Sequence, residues 1–278
     1  MTPAVAAGLD RLLAGAEALR PVMGILNVTP DSFSDGGRHD ADPVARGEAL
    51  VAEGAALLDV GGESTRPGFT PVPAEEEWRR IGPAVAALAA RVSVPLSVDT
   101  TKPEVAALAL SAGVAVVNDI WGFQGDARMA ACVAAQEAGA VLMHNRHAVD
   151  PALDVGEDML RFFDRSLALA AEAGVRLHRI VLDPGIGFGK TQAQQVDAIR
   201  AIPRLRAAFG LPVLVGLSKK RFLGAITGAP VERRGVETLA ANLAAAAAGA
   251  AIFRVHDVAD HVAALKVFGA ILPTGDRP

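Results

Sequence analysis

The sequence predicts an α/β protein built as a single (β/α)8 (TIM) barrel with an N-terminal capping segment. Three observations lead there: short apolar runs recur along the chain, stretches with helical spacing alternate with them, and the 278 residues have no break in composition. Barrels of this kind commonly occupy about 250 residues as one domain. Alternation alone does not give strand order, so a doubly wound open sheet is the other arrangement it admits.

Residues 1–20, "MTPAVAAGLDRLLAGAEALR", read as a helical extension that caps the barrel bottom. Asp10 and Arg11 interrupt its apolar residues, unlike the long apolar centre of a secretory signal. Strands are expected at 22–26, 56–61, 95–99, 114–119, 140–144, 179–183, 213–218 and 251–256. Each run is rich in Val, Ile or Leu, and unbroken apolarity suits a strand buried on both faces. Between them, helices are expected near 43–54, 74–91, 103–112, 127–138, 157–173, 192–209, 233–248 and 259–270. Gly54, Gly113, Gly139, Gly174 and Gly210 stand where helix C-termini need them. The barrel then spans 21–272, and 273–278 ("PTGDRP") read as a disordered tail.

Composition narrows the function. Hydrophobic residues make up 51% of the chain and aromatic ones 4%, with Tyr absent, so aliphatic side chains must fill the core. A net charge of −4 argues against nucleic acid as a partner. No window offers the roughly 18 apolar residues of a membrane span. Cys132, the single cysteine, excludes an internal disulfide, fits the cytoplasm and reads as a small buried hydrophobe.

In a (β/α)8 barrel the active site lies where strands end and loops enter the helices. Those positions hold Asn27; Glu63, Thr65 and Arg66; Asp99; Asn118 and Asp119; Met143 and His144; Asp183; Lys219, Lys220 and Arg221; and Arg254, His256 and Asp257. Lys220, Arg221, Arg254 and His256 cluster after the last two strands, the usual phosphate site of this fold. A helix starting near Ala259 adds free backbone N–H groups. A local basic cluster on an acidic protein points to a small phosphorylated ligand. Asp99, Asn118 and Asp183 suit a flat heterocycle bearing N–H donors, because a carboxylate accepts two parallel hydrogen bonds from such an edge.

Each motif also admits a plainer reading. "DPGIGFGKT" (183–191) has Pro184 where a P-loop needs Gly, and its glycines run GxGxG, so it reads as a tight turn. His144 and His147 lack the partners of a zinc site; His144 reads as a packed residue at the rim, and His39, His178 and His261 as surface residues. Asp31 and Asp35, taken alone, read as solvated turn residues.

Together "MGILNVTPDSFSDGG", "LLDVGGESTRPG", "LSVDTTKPEV", "VNDI", "VLMH", "LDPGIGFGKT", "VGLSKKRFLG" and "FRVHDV" resemble the dihydropteroate synthase family, in order and spacing, over roughly 21 to 270. The resemblance implies a transferase of folate biosynthesis, the sulfonamide target, that joins 6-hydroxymethyl-7,8-dihydropterin pyrophosphate to p-aminobenzoate with Mg²⁺. It implies pterin contacts from Asp99, Asn118, Asp183, Lys220, Met143 and Ile120, and pyrophosphate contacts from Asn27, Arg254 and His256, with Asn27 also on the metal. Thr65, Arg66, Pro67, Phe188 and Arg221 match the p-aminobenzoate side. Asp99, Lys220 and Asp35 match the catalytic set, and Asp35 with Phe33 lies on a loop that in the family closes over the substrates. Arg221 stands where the family often has Ser, and Lys219 where it often has Arg. Family members are usually homodimers. Two alternatives share the barrel: a pterin-binding methyltransferase domain, which needs no such basic cluster, and a non-catalytic homologue.

Overall fold

A computed structural model describes residues 3–29, 42–63 and 71–271. Its strands are β1 (Val22–Asn27), β2 (Leu57–Gly61), β3 (Leu96–Asp99), β4 (Val116–Asp119), β5 (Gly139–Met143), β6 (Ile180–Asp183), β7 (Leu214–Val215) and β8 (Ile252–Val255). All pairings are parallel, in the order β6-β5-β4-β3-β2-β1-β8-β7. A parallel bridge between Leu182 and Val213 joins β6 to β7. Sequential order with joined ends is a barrel, and it removes the doubly wound alternative.

The helices are α1 (Pro3–Ala14), α2 (Ala16–Leu19), α3 (Pro43–Ala52), α4 (Ala74–Arg91), α5 (Pro103–Ser111), α6 (Arg128–Ala135), α7 (Val155–Ala173), α8 (Gln192–Arg200), α9 (Ile202–Phe209), α10 (Arg221–Thr227), α11 (Gly235–Ala247) and α12 (Val258–Ile271). Two depart from expectation. The helix foreseen over 192–209 breaks at Ala201, because Pro203 cannot supply the N–H that a continuous ladder needs. The short α10, directly after the Lys-Lys pair, was not foreseen. Starts are set locally: Asp42 accepts the Val44 N–H before Pro43, and Thr191 and Gln194 form a capping box. Among the described residues no helix is long and apolar enough to cross a membrane.

Strand parity divides the core into two layers. Leu58, Val60, Leu96, Val98, Val117, Leu142, Leu182, Val215, Phe253 and Val255 face outward and pack with the helices. Met23, Leu57, Val116, Val141, Val181, Leu214 and Ile252 form the other cluster, with Leu9, Leu13 and Ala16 of the first two helices closing it. Moving two residues up several of these strands replaces aliphatic side chains with Asp59, Asn118, Asp183 and Arg254. The barrel interior is thus apolar at its base and charged toward its mouth.

Arg179, just before β6, fastens the N-terminal segment: its Nε and Nη2 donate to Asp10 at 2.7 and 2.8 Å, and Nη1 donates to the Glu137 carbonyl. Cys132 is half-buried rather than fully buried, with Sγ 3.8 Å from the Pro103 carbonyl. His261 is a correction. It is buried, 1% exposed, on the face of α12 that carries Val258 and Leu265, and its Nδ1 lies 2.7 Å from the Asp257 carbonyl. His178 is exposed beside Asp10; His39 and the tail 273–278 lie outside the described residues.

Leu9 is fully buried against the barrel base. Leu9→Ala should lower stability by about 2–5 kcal/mol in urea denaturation. An unchanged midpoint would show that α1 does not seal the base.

Candidate active site

Arg254 extends from β8 across the barrel mouth. Its Nε donates to Asp59 Oδ2 at 2.6 Å and its Nη2 to Asp99 Oδ2 at 2.8 Å. Asp59 Oδ2 also accepts from Asn118 Nδ2 at 3.0 Å. One guanidinium therefore ties β8 to β2 and β3, and Asp59 carries the link onward to β4. Burial opposes the charge on Arg254, yet the carboxylates of Asp59 and Asp99, with Asp183 behind them, hold its pKa above the ordinary value. Burial also raises the Asp99 carboxyl, to about 7; Arg254 and Lys220 pull against that rise, while Asp59 and Glu77 add to it. Asp99 Oδ1 and Asp59 Oδ1 are buried without a hydrogen-bond partner among the described residues. Orphan acceptors of this kind are poised for incoming N–H donors.

Asp183 ends β6 opposite Met143 of β5 and accepts the Gly185 N–H at 2.7 Å. Its pKa is raised by burial, against the Gly185 N–H and the cations Lys220, Arg254 and Lys190. Lys220 Nζ lies 4.5 Å from the centre of the Phe188 ring, a cation–π contact. The same Lys220 acts electrostatically on both Asp99 and Asp183, so the three belong to one mouth. Ile120 is buried just past β4. Asn27 ends β1, exposed and in register with Gly61. A Cβ on Gly61 would stand 3.6 Å from Asp99 Cβ and 3.8 Å from Asn27 Oδ1, so the glycine keeps a space open between them. His256 Nδ1 lies 2.8 Å from Ser218 Oγ, at the junction of the last two strand ends. Arg221 opens α10 on its exposed side. Phe33, Asp35, Thr65, Arg66 and Pro67 lie outside the described residues.

Several polar strand ends turn elsewhere. Glu63 accepts from Lys102 Nζ at 2.7 Å and from the Val72 N–H at 2.8 Å. Asp119 accepts the N–H groups of Trp121 and Phe123, closing a turn. Lys219 pairs with Asp257 at 3.1 Å. The His144 ring contacts Lys190 and Asp158, whereas His147 stacks on Trp121 with ring centres 4.2 Å apart. Among the described residues no three His, Cys, Asp or Glu gather to hold a metal ion.

Sequence reasoning missed two residues. Asp59 is fully buried in the middle of β2, and its signal was a lone carboxylate inside the apolar run "LLDVG". Lys190 is the other, buried although the segment does not match a phosphate loop; its signal is a lysine closing a glycine-rich turn.

A family model described as "Pterin binding enzyme" matches residues 23–256. A dihydropteroate synthase of Clostridium beijerinckii is 41% identical over 254 residues, 90% of this chain and 94% of that one. The dihydropteroate synthase of Xanthomonas albilineans, solved with 4-aminobenzoic acid, superposes with a TM-score of 0.87 at 45% identity, covering 94% of this chain and 98% of that one. The same enzyme in complex with 7,8-dihydropteroate gives 0.83 at 43% identity, covering 94% and 99%.

His144 lends the rim a pH dependence. Burial, then the neighbouring Lys190 ammonium, lowers its pKa to about 3; Asp158 opposes the shift and Arg146 adds to it. The unfolded chain protonates this imidazole below about 6.5 while the native state holds it neutral, so stability falls as pH drops. Between pH 6.5 and about 3, His144 should contribute a slope of roughly 1.4 kcal/mol per pH unit. His144→Gln should flatten the denaturation profile across that window. An unchanged slope in the variant would assign the acid sensitivity to other groups.

Proposed function

The chain belongs to the dihydropteroate synthase family of pterin-binding enzymes, and from that premise we propose that it joins 6-hydroxymethyl-7,8-dihydropterin pyrophosphate to p-aminobenzoate. The products are 7,8-dihydropteroate and pyrophosphate, in folate biosynthesis. One observation carries the reading: Arg254, which would meet the anionic end of such a substrate, bonds directly to Asp59 and to Asp99, which would meet its ring, and this supports one site for both ends.

Asp183, Asn118 and Asp99 receive the flat ring, with Met143 and Ile120 as apolar neighbours. Asp99 Oδ1 and the remaining acceptor capacity of Asp183 match N–H donors on a pterin edge. Arg254, His256 and Lys220 serve the pyrophosphate. Phe188, beside Lys220, walls the p-aminobenzoate side together with Arg221 and the Thr65-Arg66-Pro67 segment. Asp35 and Phe33 complete the mouth from the first loop, on family grounds.

The reaction is a displacement with strong dissociative character. The bond from the pterin methylene carbon to the pyrophosphate oxygen breaks first, and both electrons leave with the oxygen. The resulting cation is delocalised into the ring, and the neutral arylamine then attacks the methylene carbon, forming the C–N bond and passing its proton to water. Lys220, Arg254 and His256 stabilise the departing anion, while Asp99 and Asp183 favour the cation. Charge placement supplies the catalysis, and each such preorganised group is worth about 3 kcal/mol, or roughly a hundredfold in rate.

Mg²⁺ fits the donors at the end of β1. Asn27 is exposed and its amide oxygen lies 3.8 Å from where a Gly61 Cβ would stand, and a hard ion that keeps several waters takes few protein oxygens alongside substrate phosphates. Asn27 would hold the ion, which when bound supplies positive charge to the pyrophosphate oxygens. The family resemblance also supports a cytoplasmic homodimer.

The purified protein should release pyrophosphate only when the pterin ester and p-aminobenzoate are both present. Release without p-aminobenzoate, or none with both, would refute the assignment. Arg254→Ala should weaken the pyrophosphate ester by about a hundredfold, and the free pterin alcohol far less, in titration calorimetry. Equal losses would move the anion site elsewhere.

A further inference from the structure

The glycine-rich segment between β6 and α8 carries Phe188 and donates the Gly185 N–H to Asp183, yet its backbone is wound around a different side chain. Lys190 is 6% exposed. Its Nζ lies 2.7 Å from His144 Nδ1, 2.9 Å from the Gly185 carbonyl, 3.2 Å from the Phe188 carbonyl and 3.3 Å from the His144 carbonyl. An ammonium has three protons and no acceptor, so four acceptors converging on it exceed what it can satisfy singly. The lone pair of His144 Nδ1 points at the cation, which leaves Nε2–H to donate to Asp158 Oδ2 at 3.0 Å. Asp158 in turn accepts from Arg146 at 2.7 Å.

The glycines are spaced for this wrapping. Gly185, Gly187 and Gly189 have φ of 66°, 91° and 54°, where a side chain is strained. A Cβ on Gly185 would fall 1.9 Å from the His144 carbonyl oxygen, which is itself held toward Lys190. A Cβ on Gly187 would stand 3.2 Å from Lys220 Nζ. The turn therefore passes closely between two lysines: Lys190 beneath, gripping its carbonyls, and Lys220 above, under the Phe188 ring.

Burying an ammonium is costly unless its partners are good. Burial lowers the Lys190 pKa to about 7; Asp183 and Asp158 favour the charge, and Lys220 and Arg146 oppose it. Nζ touches carbonyls and the imidazole nitrogen, so this group does not reach the reacting atoms. What it does reach is the carbonyl of Phe188, and through His144 the end of β5.

We propose that Lys190 is a positioning residue of this reaction: its ammonium holds the 184–190 turn so that Phe188 lies over Lys220 and forms the wall against which the arylamine binds. The inference rests on the reading of Phe188 as part of the p-aminobenzoate side. Steady-state kinetics of Lys190→Met, Phe188→Ala and the double variant test it, with thermal melting alongside. Lys190→Met should raise KM for p-aminobenzoate by about tenfold, the effect of losing hydrogen bonds to a charged group. Its kcat and the calorimetric affinity for the pterin alcohol should stay near wild type. Phe188→Ala should raise the same KM, and the double variant should lose no more than the larger single effect. A lower melting temperature with unchanged KM would make Lys190 merely structural and overturn the proposal, as would additive losses. If Phe188→Ala alone leaves KM unchanged while Lys190→Met raises it, the assignment of that wall fails and the inference with it. Should Lys190→Met not fold, Lys190→Arg takes its place: it keeps the charge but cannot set one compact ammonium among these acceptors. The same KM rise is expected there, and a wild-type KM would overturn the proposal.

Discussion

One guanidinium shared by two buried carboxylates organises the mouth of this barrel. Without Arg254, Asp59 and Asp99 would face each other across β2 and β3 as uncompensated charges in a site from which water is largely excluded, and breaking such a group costs about 3–5 kcal/mol. With it, one oxygen of each carboxylate is satisfied and the other has no hydrogen-bond partner among the described residues. Two acids against one base also leave the cluster short of positive charge. That deficit suits a ligand whose ring edge brings N–H donors and whose reacting carbon becomes cationic. The interaction that makes the charged mouth tolerable thus also sets what it can bind.

The remainder of the fold separates stability from chemistry along each strand. The base of the barrel is aliphatic and is closed by Leu9 and Leu13 from the N-terminal helix. The outer faces of the strands bury a second aliphatic layer under the helices. Both layers are independent of the mouth, so the unpaired acceptors there, each costing about 1–3 kcal/mol, are carried by apolar burial elsewhere. Networks at the rim divide in the same way. Lys102 with Glu63 and Glu77, and Lys190 with His144 and Asp158, hold loops in place, and Arg254, Asp59, Asp99 and Asn118 form a separate network at the strand ends.

The strands and most helices were legible because their signals are local: unbroken Val/Ile/Leu runs, and glycines such as Gly174 and Gly210 at helix ends, although Gly139 opens β5 instead. The parity that turns Asp99, Asn118 and Asp183 inward follows from the same runs once they close into a barrel. Partnership across strands was not legible. Asp59 lies 195 residues from Arg254, and nothing near "LLDVG" names its partner. Lys190 was hidden for a related reason, since its acceptors are backbone carbonyls that carry no residue identity. His261 could have been placed correctly, because its spacing from Val258 and Leu265 puts all three on one helical face. The break at Ala201 was likewise written in Pro203.

If Asp59 couples Arg254 on one side to Asn118 on the other, both halves of a ligand at the barrel mouth feel its loss. Titration calorimetry of Asp59→Asn with the free pterin alcohol and with its pyrophosphate ester addresses this directly. Both ligands should lose affinity, each by about tenfold, the usual effect of removing a charged hydrogen-bond partner. Wild-type affinity for the alcohol, with loss confined to the ester, would contradict it.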